Sequence, residues 1–208
     1  MYQPLFREDR LDVMQDLIIA QPLATLVSSA AGQIQADHVP LVLHADQSDK
    51  GLLRGHVAKG NGLWRSRAEL ESVMAIFQGP QSYVTPSWYP SKQEHGKVVP
   101  TWNYVVVHAR GAFRFVDDAD WLMVHLGELT RQHEQDRAEP WAVSDAPADY
   151  LSRQLRGIVG VELTIESLEG VWKVSQNRDM RDRAGVQEGL LREQTADAEA
   201  ISHLIGNA

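Results

Sequence analysis

The strongest constraint on this chain is a change of period along its length. Between residues 23 and 115 it runs in short stretches rich in Val, Ile and Leu: 23–28, 33–44, 52–59, 72–78 and 82–85. Gly32, the segment 46–51 and Gly79-Pro80 punctuate them, as turns punctuate an antiparallel meander. Residues 98–115 read as one or two long strands, with a break near Arg110-Gly111. So many closely spaced strands predict a barrel.

Helical periods flank this run. Residues 9–20 read as a helix carrying Leu11, Met14 and Ile18, stopped by Pro22. After Asp117-Asp118, the residues Trp121, Leu122, Leu126 and Leu129 form an apolar stripe running to Glu134. A loop at Glu139-Pro140-Trp141 then leads to a second helix, with Asp145 as its expected N-cap and Pro147 in its first turn. Alternation returns over 158–168, with Val159, Val161, Leu163 and Ile165 on one face and Glu162, Thr164 and Glu166 on the other. Residues 175–208 read as mostly helical and polar. The expected fold is one α+β domain, an antiparallel barrel with helices packed on it.

Composition narrows the function classes. The chain has no cysteine, which removes disulfides, thiolate metal sites and a cysteine nucleophile. No histidine pair has a metal-ligand spacing, so no metal is expected. Apolar runs such as 104–107 are too short to span a bilayer, and the opening Met1-Tyr2-Gln3-Pro4 lacks a signal-peptide pattern. A cytoplasmic protein with no membrane partner is the expectation. The net charge of -8 argues against general nucleic-acid binding. That charge is uneven: residues 50–114 carry nine basic and three acidic side chains, whereas 117–149 carry two and nine. A basic third inside an acidic chain suits an anionic ligand such as a phosphate, although chance surface patterning gives the same count.

No GxSxG, Walker A or HExxH motif occurs, and Gly60-Asn61-Gly62 lacks the third glycine of a dinucleotide fingerprint. Two stretches remain. In the first, Trp88, Tyr89 and Lys92 are followed by Thr101, Trp102, Asn103 and Tyr104. Flat aromatic walls beside oriented amide and hydroxyl groups suit a planar, hydrogen-bonding ligand such as an isoalloxazine ring. The same residues also suit an ordinary barrel core. In the second, His56, Lys59, Asn61 and Arg65 fall at a strand end and the turn after it, a sensible phosphate cradle or simply a basic surface turn. His38 is a candidate ligand contact or a strand histidine satisfied by a neighbour. The cluster 172–178 is too short to read as a DNA-contacting helix.

The ordered set of short motifs resembles the PaiB family of FMN-binding negative transcriptional regulators. The matching pieces are Met1-Tyr2-x-Pro4, His38-x-Pro40, Gly55-His56-Val57-Ala58, Phe77-Gln78-Gly79-Pro80, Pro86-Ser87-Trp88-Tyr89 and Lys92. They continue with Val99-Pro100-Thr101-Trp102-Asn103-Tyr104, His133-Glu134, Pro140-Trp141, Ser144-Asp145-Ala146-Pro147, Ile158-Val159-Gly160 and Ser175-Gln176-Asn177-Arg178. Two departures stand out. Lys59-Gly60-Asn61-Gly62 replaces a more basic run ending in Pro, and Val171 stands where a basic residue is expected.

The resemblance implies an antiparallel split β-barrel of the FMN-binding type over 1–192, with a polar helical tail at 193–208. It implies FMN as the cofactor and a homodimer as the assembly. Carried over, the cofactor-binding set is His38, His56, Lys59, Asn61, Trp88, Tyr89, Lys92, Thr101, Trp102 and Asn103, with no catalytic residue identified. The expected function is flavin-linked sensing or indirect negative regulation of transcription. DNA is a partner by resemblance but not by charge. A flavin-dependent oxidoreductase and a cofactor-free interaction module remain open.

Overall fold

In the computed structural model, residues 4–206 are described, so the expected Met1-Tyr2 motif piece lies outside them. The elements in order are β1 (Arg7–Glu8), α1 (Leu11–Ala20), β2 (Leu23–Ala30), β3 (Gln33–Pro40), β4 (Val42–His44), β5 (Leu52–Ala58) and α2 (Gly62–Arg65). Then follow β6 (Leu70–Val84), α3 (Lys92–His95), β7 (Thr101–Val116), α4 (Ala119–Glu134), α5 (Ala148–Arg156), β8 (Ile158–Lys173), α6 (Met180–Glu193) and α7 (Ala196–Gly206). Hydrogen-bonded neighbours run β3-β2-β6-β7-β8-β5-β4, with β1 on β8. The chain forms two compact units. A central unit takes Gln15–Phe77 and His108–Leu168, and a terminal unit takes Met1–Met14, Gln78–Val107 and Glu169–Ala208.

In the central unit β2 and β3 form an antiparallel hairpin from Leu23↔Pro40 to Ala30↔Gln33. Ala31 and Gly32 turn it with φ of 49° and 73°, the pair of positive values that a tight two-residue hairpin requires. β5 pairs antiparallel with β4 on one side and with β8 on the other, from Leu52↔Thr164 to Ala58↔Ile158. The strand period of two is visible in burial. Ala24, Leu26, Ser28 and Ala30 of β2 face inward, as do Val159, Val161, Leu163 and Ile165 of β8.

Three local expectations are corrected. The first is the turn at Gly79-Pro80, through which β6 runs unbroken. β2 pairs with β6 only as far as Ile76, so Pro80 withholds its missing N–H from no β2 partner. The second is the break at Arg110-Gly111, which β7 also crosses. Gly111 is there for a close approach, since a Cβ at that position would lie 1.8 Å from the Thr164 carbonyl oxygen. The third is Asp145 as the helix cap. Pro147 caps α5, while Asp145 closes a short 3-10 turn by accepting the Ala142 N–H at 2.9 Å.

In the terminal unit β1 pairs with the end of β8, Arg7 opposite Val171 and Glu8 opposite Gly170. Val171 is buried there, so the apolar residue in place of a basic one fills core. α6 and α7 pack on each other and bury Val186, Leu190, Ile201 and Ile205 completely. Asp179 caps α6 through the Asp182 N–H. Asp182, itself buried, accepts the Ser91 N–H at 3.1 Å and the Ser91 hydroxyl at 2.7 Å. Among the described residues no helix is long and apolar enough to cross a membrane.

Candidate functional site

The candidate residues fall in both units. In the central unit they gather where β5 ends. Lys59 N–H bonds the Gly157 carbonyl at 2.8 Å, and Asn61 N–H bonds the Ala58 carbonyl at 2.9 Å, closing the turn. The Asn61 side-chain oxygen caps α2 by accepting the Leu63 N–H at 2.7 Å, and its amide nitrogen donates to Asp37 at 2.7 Å. A cap of this kind is worth about 1 kcal/mol. Asn61 thus shapes the turn, and fully buried Leu63 pins it.

Lys59 donates to Asp117 at 2.7 Å. Both residues line a cavity of about 380 Å³ with Leu122, Ser152, Leu155 and Arg156. The Ser152 hydroxyl donates to the Ala148 carbonyl at 2.8 Å, so the two cations beside leucine side chains are what suits a phosphate on an apolar body. Arg156 and Ser152 come from α5, which the sequence reading did not connect to the turn. His38 stands exposed on β3 opposite Thr25. Its neighbour Asp37, not His38, meets Asn61.

His56 belongs to a different layer. β5 turns Arg54 and His56 towards α4, where His56 Nδ1 lies 3.2 Å from His125 Nε2. Trp121 stacks on His125 with ring centres 5.3 Å apart, and its indole N–H donates to Glu162 at 3.2 Å. Glu162, only 3% exposed, also accepts Arg54 at 3.0 Å and Arg114 at 2.6 Å. Gly160 makes the layer possible, because a Cβ there would lie 2.2 Å from the Trp121 ring.

The electrostatics follow from burial. Burial lowers His56 below its ordinary value. It lowers His125 to about 4, helped by His56, His44 and Arg54. Burial alone would raise the Glu162 carboxyl, but Arg114 and Arg54 overcome it and hold the group below its usual range. The two imidazoles are therefore neutral at pH 7 and share one proton between facing nitrogens. Among the described residues no group of three or more acidic or histidine side chains could hold a metal ion.

In the terminal unit the candidates divide by exposure. Tyr89 is 2% exposed and lies under the Arg178 guanidinium, 4.7 Å from the ring centre. Trp88 packs on α6 over Gly185 and Gly189, and Lys92 donates to Ser87 at 3.4 Å. Along β7, Asn103 is fully buried and donates to Ser175 at 2.9 Å, while its side-chain oxygen has no partner among the described residues. Lys173 crosses from β8 to donate to the Thr101 hydroxyl at 2.6 Å and the Trp102 carbonyl at 2.8 Å. Trp102 itself is 47% exposed, bonded to Gln81 at 3.1 Å and edge-on to Tyr83 with centres 6.0 Å apart. Trp102 and Tyr83 offer flat surface, whereas Tyr89 and Asn103 are core. Gln81 escaped the sequence reading, and Lys173 was noted only within the cluster 172–178, since neither stands beside its partner in the chain.

A family model described as "Putative FMN-binding domain" matches residues 1–167. The chain belongs to this FMN-binding family. The PaiB resemblance is supported at full length: the "Protease synthase and sporulation protein PAI 2" of Bacillus subtilis is 31% identical over 206 residues, covering 99% of this chain and 96% of that protein. An uncharacterized protein of Emericella nidulans is 33% identical over 233 residues, covering 95% of this chain and 93% of its own. Among solved structures, the FAD and heme binding protein from Mycobacterium smegmatis superposes with a TM-score of 0.61 at 19% identity, covering 86% of this chain and 78% of that one. The flavocytochrome Anf3 from Azotobacter vinelandii superposes with a TM-score of 0.60 at 11% identity, covering 86% and 75%. At these identities the two structures speak for the fold alone, and the expected α+β split barrel is borne out. Membership in the FMN-binding family makes FMN the cofactor. The cations of Lys59 and Arg156, lining one cavity, fit the phosphate group of that cofactor.

Proposed function

We propose that this PaiB-family protein is a flavin-linked regulator, holding FMN and acting indirectly on transcription. The observation that carries the proposal is that Lys59, from the basic third of an acidic chain, and Arg156 of α5 line one cavity. Lys59 and Arg156 would hold the phosphate, on a turn shaped by Asn61, with His56 of the proposed set in the layer under α4. The exposed Trp102 face of the terminal unit would receive a flat apolar surface from a second copy of the chain in a homodimer. His38, Trp88, Tyr89, Lys92, Thr101 and Asn103 complete the proposed set, with buried Tyr89 and Asn103 in supporting positions. When bound, FMN supplies reversible redox chemistry. The protein's own groups supply charge, shape and exclusion of water.

The regulatory half is supported by the B. subtilis relative, whose name refers to protease synthase and sporulation. Indirect action follows from charge: the net value is -8, and residues 117–149 carry nine acidic and two basic side chains. A cytoplasmic site of action belongs to the same proposal.

The test is the visible absorption of purified protein titrated with FMN. Saturable binding is expected, weakened about tenfold by Lys59→Ala, the effect of losing one charge-assisted hydrogen bond. Trp102→Ala is expected to shift the dimer towards monomer in sedimentation. Protein that stays colourless and retains no added FMN would overturn the flavin reading. A specific, salt-dependent DNA shift by the pure protein would overturn indirect action.

A further inference from the structure

The outer side of α4 carries a cavity that the FMN reading leaves unused. Gly127, Arg131 and Glu134 of α4, with Pro140, Trp141 and Val143 of the following loop, line about 370 Å³, the size of a small-ligand pocket. The lining is mostly apolar, with the indole of Trp141 as a wall. Gly127 leaves room within it, since a Cβ there would meet nothing within 4 Å.

The charges at the cavity are not equivalent. Glu134 is engaged twice, accepting the Trp141 N–H at 3.1 Å and pairing with Arg137 at 3.0 Å. One turn before Arg131, Glu128 lies 3.4 Å from His44, whose imidazole burial holds below its ordinary value and so leaves uncharged at pH 7. Arg131 sits among these groups, yet its guanidinium has no hydrogen bond or ion pair among the described residues. The site therefore offers an apolar slot, an aromatic wall and one unspent cation.

We propose that this cavity binds a small aromatic carboxylate, its ring against Trp141 and its anionic group on Arg131. A neutral hydrophobe would leave the guanidinium unused, and a bare inorganic anion would leave the apolar wall dry and unfilled. An aromatic acid satisfies both, because guanidinium and carboxylate match as a planar, two-bond pair. The inference stands apart from the flavin reading, since none of these residues belongs to the proposed FMN set.

The test is calorimetric titration of the full chain with 1-naphthoate and with its uncharged analogue 1-naphthylmethanol. Naphthoate should bind saturably at one site per chain. Arg131→Gln should weaken naphthoate about tenfold and leave naphthylmethanol unchanged, a difference of one charge-assisted contact. Gly127→Leu projects into the cavity and favours the helix over glycine, so it should abolish both ligands while circular dichroism and FMN binding stay as in the parent. No saturable heat with naphthoate in the parent protein would overturn the proposal. So would unchanged binding in Gly127→Leu, or an equal loss of both ligands in Arg131→Gln. A change of sedimentation mass in Gly127→Leu would overturn it too, because the cavity would then be a face between two copies.

Discussion

Under α4 the strands of the central unit present Arg54, His56 and Glu162, and α4 answers with Trp121 and His125. In the terminal unit α6 and α7 meet while burying Val186, Leu190, Ile201 and Ile205. In the α4 layer Glu162 and His125 are buried while Arg114 reaches solvent, and the helix pair is dry. The first holds together only if each polar group keeps its partner, since an unpaired buried charge costs several kcal/mol. The second depends on volume and tolerates small changes of shape.

The largest effect should come from breaking the polar layer at its acid. Glu162→Ala leaves Arg54 and the Trp121 indole N–H facing a buried vacancy, while the largely exposed Arg114 turns to water. The expected loss is about 3–5 kcal/mol, read as a fall in the urea midpoint. A loss below about 1 kcal/mol would mean that water replaces the carboxylate, and the contrast between the two layers would collapse.

Acid should be the next way to break it. His125 drops from 6.5 to about 4 on folding, so between those values the unfolded chain binds more protons than the folded one. Stability therefore declines as pH falls from 6.5 towards 4, by about 3 kcal/mol from this group. His56 and His44, also lowered by burial, act in the same window. Glu162 is lowered as well, so its share is present above 4.5 and is lost only at more acidic pH. His125→Gln should flatten the upper window and spare the lower one. A pH profile unchanged by that variant would take His125 out of the account. The aliphatic layer supplies the control, and Ile201→Val should cost only about 1 kcal/mol at any pH.

The same contrast explains what could be read from residue order. Val159, Val161, Leu163 and Ile165 announce their face by period, and burial agrees. Glu162 lies on the face that alternation assigns to solvent, yet it is buried, because Arg54, Arg114 and Trp121 arrive from three other elements. Nothing local marks such a residue. Gly111 and Gly79-Pro80 look like breaks for a related reason. Their local preference is for turns, and only the neighbouring strand, or its absence, decides otherwise. At the candidate site Lys59 and Asn61 were legible as a basic turn. Arg156 and Ser152 were not, since α5 reaches the cavity from about a hundred residues further along the chain.

The smallest stability change should be the most informative about function. Asp117 is 53% exposed and pairs with Lys59, itself 32% exposed, so the bond contributes at most about 1 kcal/mol. In the proposed phosphate site Asp117 competes with the ligand for the same ammonium. Asp117→Asn should therefore leave the urea midpoint almost unmoved while tightening FMN binding several-fold at low salt, with the gain shrinking as salt rises. Lys59→Ala in the Asp117→Asn background should erase that gain. If Asp117→Asn weakens FMN instead, the aspartate orients Lys59 for the phosphate, and the site is held by an ordered pair in the manner of the Glu162 layer.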